Sequence, residues 1–140
     1  MRVKNLMRRE VQTVPPGMPV LDFAHYAATT YHKYFPVMQS GVLLGVLTLD
    51  SLGPILDEPD AWRHLVLADL IGSGPVVHLR PEDDLALAEQ FFQAHGFEQI
   101  PVLETRSPEE GGGLEVVGLL HHQDVLRAAA RRKLAMQLPH

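Results

Sequence analysis

The 140-residue chain contains no cysteine. Disulfides, thiolate nucleophiles and cysteine-ligated zinc are therefore excluded, and the fold has to rest on its buried core. Long apolar runs are missing as well. Nothing approaches the ~18–20 residues needed to span a bilayer, and Met1-Arg2-Val3-Lys4-Asn5 lacks the apolar stretch of a signal peptide. The chain is expected not to span a membrane itself and to work in the cytoplasm. Aromatic residues amount to 6% and do not interleave with the basic ones, so stacking of nucleobases has no platform. A net charge of −5 also works against binding a phosphate backbone, and nucleic acid is not an expected partner. No serine occupies a nucleophile elbow, and no carboxylate pair has a spacing suited to acid–base work. The expected protein is not an enzyme.

Eight histidines raise the question of a metal, but their spacing argues against one. His121 and His122 are neighbours and would face opposite ways on a strand. His25 and His32 are seven apart, with no carboxylate or cysteine to complete a ligand set. Neither a metal site nor a required cofactor is expected. Gly111-Gly112-Gly113 follows Glu109-Glu110 and lacks the lysine of a phosphate loop, which makes it a flexible hairpin connection.

Hydrophobic residues make up 46% of the chain and charged residues 21%, a globular balance. The length suits one ordinary domain or two half-size units sharing a core. The charge is unevenly placed. Arg2, Lys4, Arg8 and Arg9 crowd one end, and Arg127, Arg131, Arg132 and Lys133 the other. These are either solvated helix ends, the last four complementing a helix dipole, or a docking face for a partner or membrane surface.

An internal repeat organises the chain. Val3-Lys4-Asn5-Leu6-Met7 returns as Leu67-Ala68-Asp69-Leu70-Ile71, 64 residues on. Val14-Pro15-Pro16 returns as Leu79-Arg80-Pro81, and Phe35-Pro36-Val37 as Ile100-Pro101-Val102, both 65 on. Gly45-Val46-Leu47 matches Gly118-Leu119-Leu120 at 73, the extra length falling in the loop from Thr105 to Gly113. Each half reads as strand, helix, strand, strand, helix. The strands are expected at Val11 to Val14, Tyr34 to Met38 and Val42 to Thr48, then at Val76 to Leu79, Gln99 to Leu103 and Leu114 to Leu120. Val20, Phe23, Ala24, Ala27, Ala28 and Tyr31 have helical spacing, and a second helix runs from about Asp84 to His95, capped by Asp83 or Asp84 and closed at Gly96. A closing helix follows each strand pair, the last with Leu126, Ala129, Ala130, Lys133 and Leu134 on one face. The fold class is α+β: two repeated β-α-β-β-α units packed as a pseudo-twofold pair, 1–60 with an acidic linker and 61–140 with the C-terminal helix.

These residues resemble a tandem pair of CBS domains, the regulatory Bateman module. The resemblance covers Val3 to about Lys133. It is carried by Val3-Lys4-Asn5-Leu6-Met7, by Phe35-Pro36-Val37 and Ile100-Pro101-Val102, and by Gly45-Val46-Leu47-Thr48. It implies a ligand sensor that binds an adenosine nucleotide or related metabolite (AMP, ADP, ATP or S-adenosylmethionine) and controls an attached effector domain or a partner protein. It also implies a flat homodimer through helices such as the first, beside whose apolar face Tyr26 and Tyr31 lie. The alternative is a ligand-free dimerisation module, for instance the soluble tail of a membrane transporter or protease.

The family's site motif is Gly-apolar-apolar-Thr/Ser-x-x-Asp, whose carboxylate holds two ribose hydroxyls. Each half of this chain keeps one member: Thr48 with Ser51 in the first, His121 with Asp124 in the second. By resemblance, Asp124 and His121 are joined by Val11, Gln12, Lys33, Tyr34, Phe35 and Pro36, with Lys33, His32 or His121 facing a phosphate. A weaker second cleft comprises Thr48, Ser51, Gln99, Ile100 and Pro101. Asp124 has a second reading, as a cap of the final helix.

Overall fold

The computed structural model describes residues 1–72 and 74–138. Its elements are α1 (Val20–Thr29), β1 (Tyr34–Gln39), β2 (Val42–Thr48), the short helices α2 (Gly53–Leu56) and α3 (Pro59–Trp62), α4 (Leu85–His95), β3 (Gln99–Thr105), β4 (Leu114–His121) and α5 (His122–Gln137). Single 3-10 turns occupy Val3–Asn5, Leu49–Leu52, Leu67–Asp69 and Pro108–Glu110. This is the α+β arrangement expected of two repeated units. β1 pairs antiparallel with β2, and β3 is hydrogen-bonded to β4. Ser40 and Gly41, at φ 52° and 79°, make the two-residue turn between β1 and β2, whose positive dihedrals match the twist of the strands.

The strands expected at Val11 to Val14 and Val76 to Leu79 shrink to one bridging residue each. Val14 pairs parallel with Val37, and Leu79 with Val102. Proline explains both the contact and its brevity. Pro36 and Pro101 have no N–H to place, but their carbonyls accept from Val14 N and Leu79 N at 3.0 Å. Pro15-Pro16 and Pro81 then turn the chain away before a ladder can grow.

Two further expectations are corrected. α1 ends at Thr29, with Thr30 extended, so Tyr31 lies outside it. No side chain caps α4; the Asp83 carboxylate instead accepts from Arg80 N at 2.7 Å. Gly96 does close that helix in the left-handed conformation, at φ 66°. On α5 the inward residues are Val125 and Ala128, whereas Leu126 and Leu134 are 56% and 59% exposed.

The chain forms two compact units, cut differently from the sequence halves. A terminal unit takes Met1–Glu10, Val77–Glu104 and the chain from Val116 onward; a central unit takes Val11–Val76 and Thr105–Glu115. Each repeat's opening segment thus joins the other repeat's body, held by matching backbone bonds. In the terminal unit these are Val3 N to Asp83 O (2.8 Å), Lys4 N to Pro81 O (2.9 Å) and Leu85 N to Met1 O (3.1 Å). The central unit repeats them as Leu67 N to Met18 O, Ala68 N to Pro16 O and Val20 N to Leu65 O, at 3.0, 2.9 and 3.0 Å.

Each unit has its own core. The central one buries Val14, Val20, Phe23, Ala27, Phe35, Val37, Leu47, Leu52 and Leu67. The terminal one buries Leu79, Leu85, Ala88, Phe92, Ile100, Val102, Leu120, Val125 and Val3. Read in that order, the two sets correspond position by position through the offsets of 65, 73 and 64. The inserted loop belongs to the central unit, where Arg106 donates to Ser40 O at 2.7 Å and to Glu110 O.

Candidate functional site

In both repeats the site motif lies where the last strand runs into a helical turn. Thr48 and His121 are extended residues immediately before that turn, at φ −122° and −96°. Ser51 and Asp124 follow at its third position. The motif glycines have a packing reason. A Cβ on Gly45 would meet Ile71 Cβ at 2.9 Å, and one on Gly118 would meet Met7 Sδ at 2.6 Å and Arg8 O at 3.1 Å. Only glycine lets the opening segment lie this close to the strand.

The two versions then diverge. In the central unit Ser51 is turned back on its own turn: its Oγ accepts from Thr48 N at 3.2 Å and lies 3.2 Å from Thr48 Oγ1. The helix that follows is broken into pieces at Gly53-Pro54 and Pro59. In the terminal unit α5 runs unbroken for 16 residues. Asp124 sits in its first turn but does not cap it; the preceding residue in the cap position is His121, which makes no side-chain cap bond.

Asp124 is instead paired with Arg8. Arg8 Nε donates to Oδ2 at 2.9 Å and Nη2 to Oδ1 at 3.2 Å, a two-point contact across 116 residues. The Arg8 backbone is fixed to β4 through bonds to Leu119 in both directions, at 2.9 and 2.8 Å. The hydrogen bond to Arg8 lowers the Asp124 pKa; burial opposes this, and the charges of Arg8, His121 and Arg127 add to it. Asp124 is therefore an ionised acceptor at neutral pH. Arg8 escaped the sequence reading, because nothing local marks a contact so distant in the chain.

The remaining expected residues divide between the units. Asp124 and His121 are terminal, whereas Val11, Gln12, Lys33, Tyr34, Phe35 and Pro36 are central. Gln12 Oε1 accepts from the Tyr26 hydroxyl at 2.9 Å, and the Tyr26 ring meets Phe35 edge-on at 5.8 Å. Phe35 and Pro36 are buried, and Lys33 is exposed. Burial raises the Tyr34 pKa, keeping the phenol neutral. Of the second set, Thr48 and Ser51 are central and Gln99, Ile100 and Pro101 terminal. Ile100 and Pro101 are buried, and Gln99 Oε1 is buried without a hydrogen-bond partner among the described residues. The His122 ring stacks on Phe92 at 4.6 Å. Among the described residues no group of three or more His, Asp or Glu is placed to hold a metal ion, and no helix is long and apolar enough to cross a membrane.

The family model for the CBS domain matches residues 3–52 and 67–131. The chain belongs to the CBS-domain family. CBS domains are regulatory modules, not catalytic ones. Among solved structures, the chain is similar to the cytosolic domain of the Mg2+ channel MgtE in complex with ATP, at 28% identity and TM-score 0.68. That match covers 91% of this chain and 48% of the other. CBSX2 in complex with AMP is similar at 21% identity and TM-score 0.70, covering 94% and 98%. The CBS domain pair of MJ0100, in complex with 5′-methylthioadenosine and S-adenosyl-L-methionine, is similar at 14% identity and TM-score 0.73, covering 94% and 98%. No curated protein matches the sequence.

Proposed function

We propose that this CBS pair is a sensor of an adenosine nucleotide or related metabolite, with Asp124 as the acceptor of the ribose hydroxyls. One observation carries the reading: of the two motif positions, only Asp124 presents an ionised carboxylate, at the start of a continuous helix. A carboxylate accepts from two adjacent hydroxyls at once, which a serine engaged with its own turn does not. The adenosine ligands present in the similar structures support the class of compound. The output is proposed to pass to an attached or partner protein.

Calorimetric titration with AMP, ADP, ATP and S-adenosylmethionine tests this directly. Losing hydrogen bonds to a charged group costs ~1.5–3 kcal/mol, so Asp124→Ala should weaken binding by roughly ten- to a hundredfold. Ser51→Ala should leave it unchanged. Unaltered affinity in folded Asp124→Ala would remove the ribose role.

A second reading, a homodimerising module, is favoured by the apolar side chains left in solvent. Tyr31 is 79% exposed, and on α5 Leu126, Leu134 and Met136 are 56%, 59% and 80% exposed. A dimer mass by light scattering at high micromolar concentration is expected; a monomer would count against it.

A further inference from the structure

The Arg8–Asp124 pair of the terminal unit has no counterpart in the central unit, where the corresponding positions hold Gly72 and Ser51. Both partners differ together. The side chains are also unequally covered: Asp124 is 15% exposed and Arg8 52%. Of the two side chains, that of Arg8 is the more open to an arriving ligand.

The chemistry of displacement follows. Arg8 uses two of its five N–H donors on Asp124, through Nε and Nη2. A neutral diol that takes the carboxylate replaces a charge-assisted two-point contact with bonds from uncharged hydroxyls and leaves the guanidinium unpaired. A ligand that also carries an anionic group offers Arg8 a new partner in the same step. Because bonds to Leu119 hold the Arg8 backbone, the exchange needs only side-chain rotation.

We propose that Arg8 is the specificity residue of the Asp124 site: it exchanges Asp124 for the phosphate of a nucleotide whose diol takes the carboxylate, and so selects phosphorylated nucleosides over neutral ones. This rests on the reading of Asp124 as the diol acceptor. The number of ion contacts is conserved for an anionic ligand and falls for a neutral one.

The test is calorimetry with AMP and adenosine against the parent, Arg8→Met, Arg8→Lys and Asp124→Ala, each shown folded by thermal melting. The parent should prefer AMP. In Arg8→Met the preference should fall roughly tenfold or more, adenosine binding tighter and AMP weaker, the size of one charge-assisted contact. Arg8→Lys keeps the cation without the planar fork and should retain part of the preference. An unchanged preference in Arg8→Met, with binding still lost in Asp124→Ala, overturns the exchange and leaves the Asp124 reading intact. AMP binding that survives Asp124→Ala, or is absent from the parent, overturns the Asp124 reading and the exchange with it.

Discussion

The two units bury equivalent positions in their cores and differ at the start of their closing helices. Within the cores even the differences compensate. α1 carries Phe23 and Ala27 where α4 carries Ala88 and Phe92, so each helix presents one large and one small residue in opposite order. Each order suits its neighbours: Phe23 meets the Phe35 ring edge-on at 5.0 Å, whereas Phe92 stacks on His122 and has Ile100 in place of a second aromatic. At the sites there is no such compensation. A charged pair in the terminal unit corresponds to Gly72 and Ser51 in the central one. Packing tolerates exchange as long as volume is conserved, whereas a site can be lost on one side without cost to the core.

The largest expected effect tests the equivalence of the cores. Phe23→Ala and Phe92→Ala each open a cavity in a fully buried site and should cost about 3–5 kcal/mol in urea unfolding. The double change Phe23→Ala with Ala27→Phe copies the order of α4 and should recover a substantial part of that loss. A double variant no more stable than Phe23→Ala would show that the Phe23–Phe35 ring contact matters more than total volume.

A smaller effect separates the two motif glycines. Gly45→Ala and Gly118→Ala should each cost about 1–3 kcal/mol by overpacking. Gly45→Ala should cost more, because it strikes the branched Ile71 Cβ, whereas Gly118→Ala first meets the end of the flexible Met7. Combining Gly118→Ala with Met7→Ala should return part of the loss. If it does not, the Arg8 carbonyl at 3.1 Å is the real obstacle.

These comparisons show what could be read from the chain alone. The 64, 65 and 73 offsets are visible because buried positions in helices and paired strands recur with regular periods, and they align both cores. At Val11 to Val14 and Val76 to Leu79 a single bridge between prolines leaves an apolar trace that resembles a whole strand. The first closing helix is present in pieces, and Gly53-Pro54 and Pro59 carry the signal for its breaks. Which face of α5 packs inward is not legible, since the exposed Leu126 and Leu134 are as apolar as Val125 and Ala128. At the site, Asp124 was legible from its motif and Arg8 was not. The available hint was the repeat itself: Arg8 and Asp124 are the charged members of two columns whose other members are Gly72 and Ser51.

The smallest effect probes that pair through pH. The hydrogen bond from Arg8 lowers the Asp124 pKa in the folded state, against about 3.9 for an aspartate in an unfolded chain. A group depressed in this way stabilises the fold at pH values above the unfolded pKa, and that stability is lost as pH falls through the folded one. Arg8 remains charged throughout, so the titration belongs to Asp124. With Arg8 half exposed, solvent screens the pair, and its contribution should be about 0.5–1 kcal/mol at neutral pH. Arg8→Met and Asp124→Asn should show that deficit in urea unfolding at pH 7. The deficit should shrink as pH falls below about 4, where the parent loses the same interaction, and it should also shrink in high salt. Ser51→Ala, at the equivalent position in the other repeat, removes no ionisable group, so whatever stability it loses with its bond from Thr48 N should not vary with pH. If the two charge variants kept their full deficit below the folded pKa of Asp124, the pair would be stabilising through packing of the Arg8 stem rather than through charge.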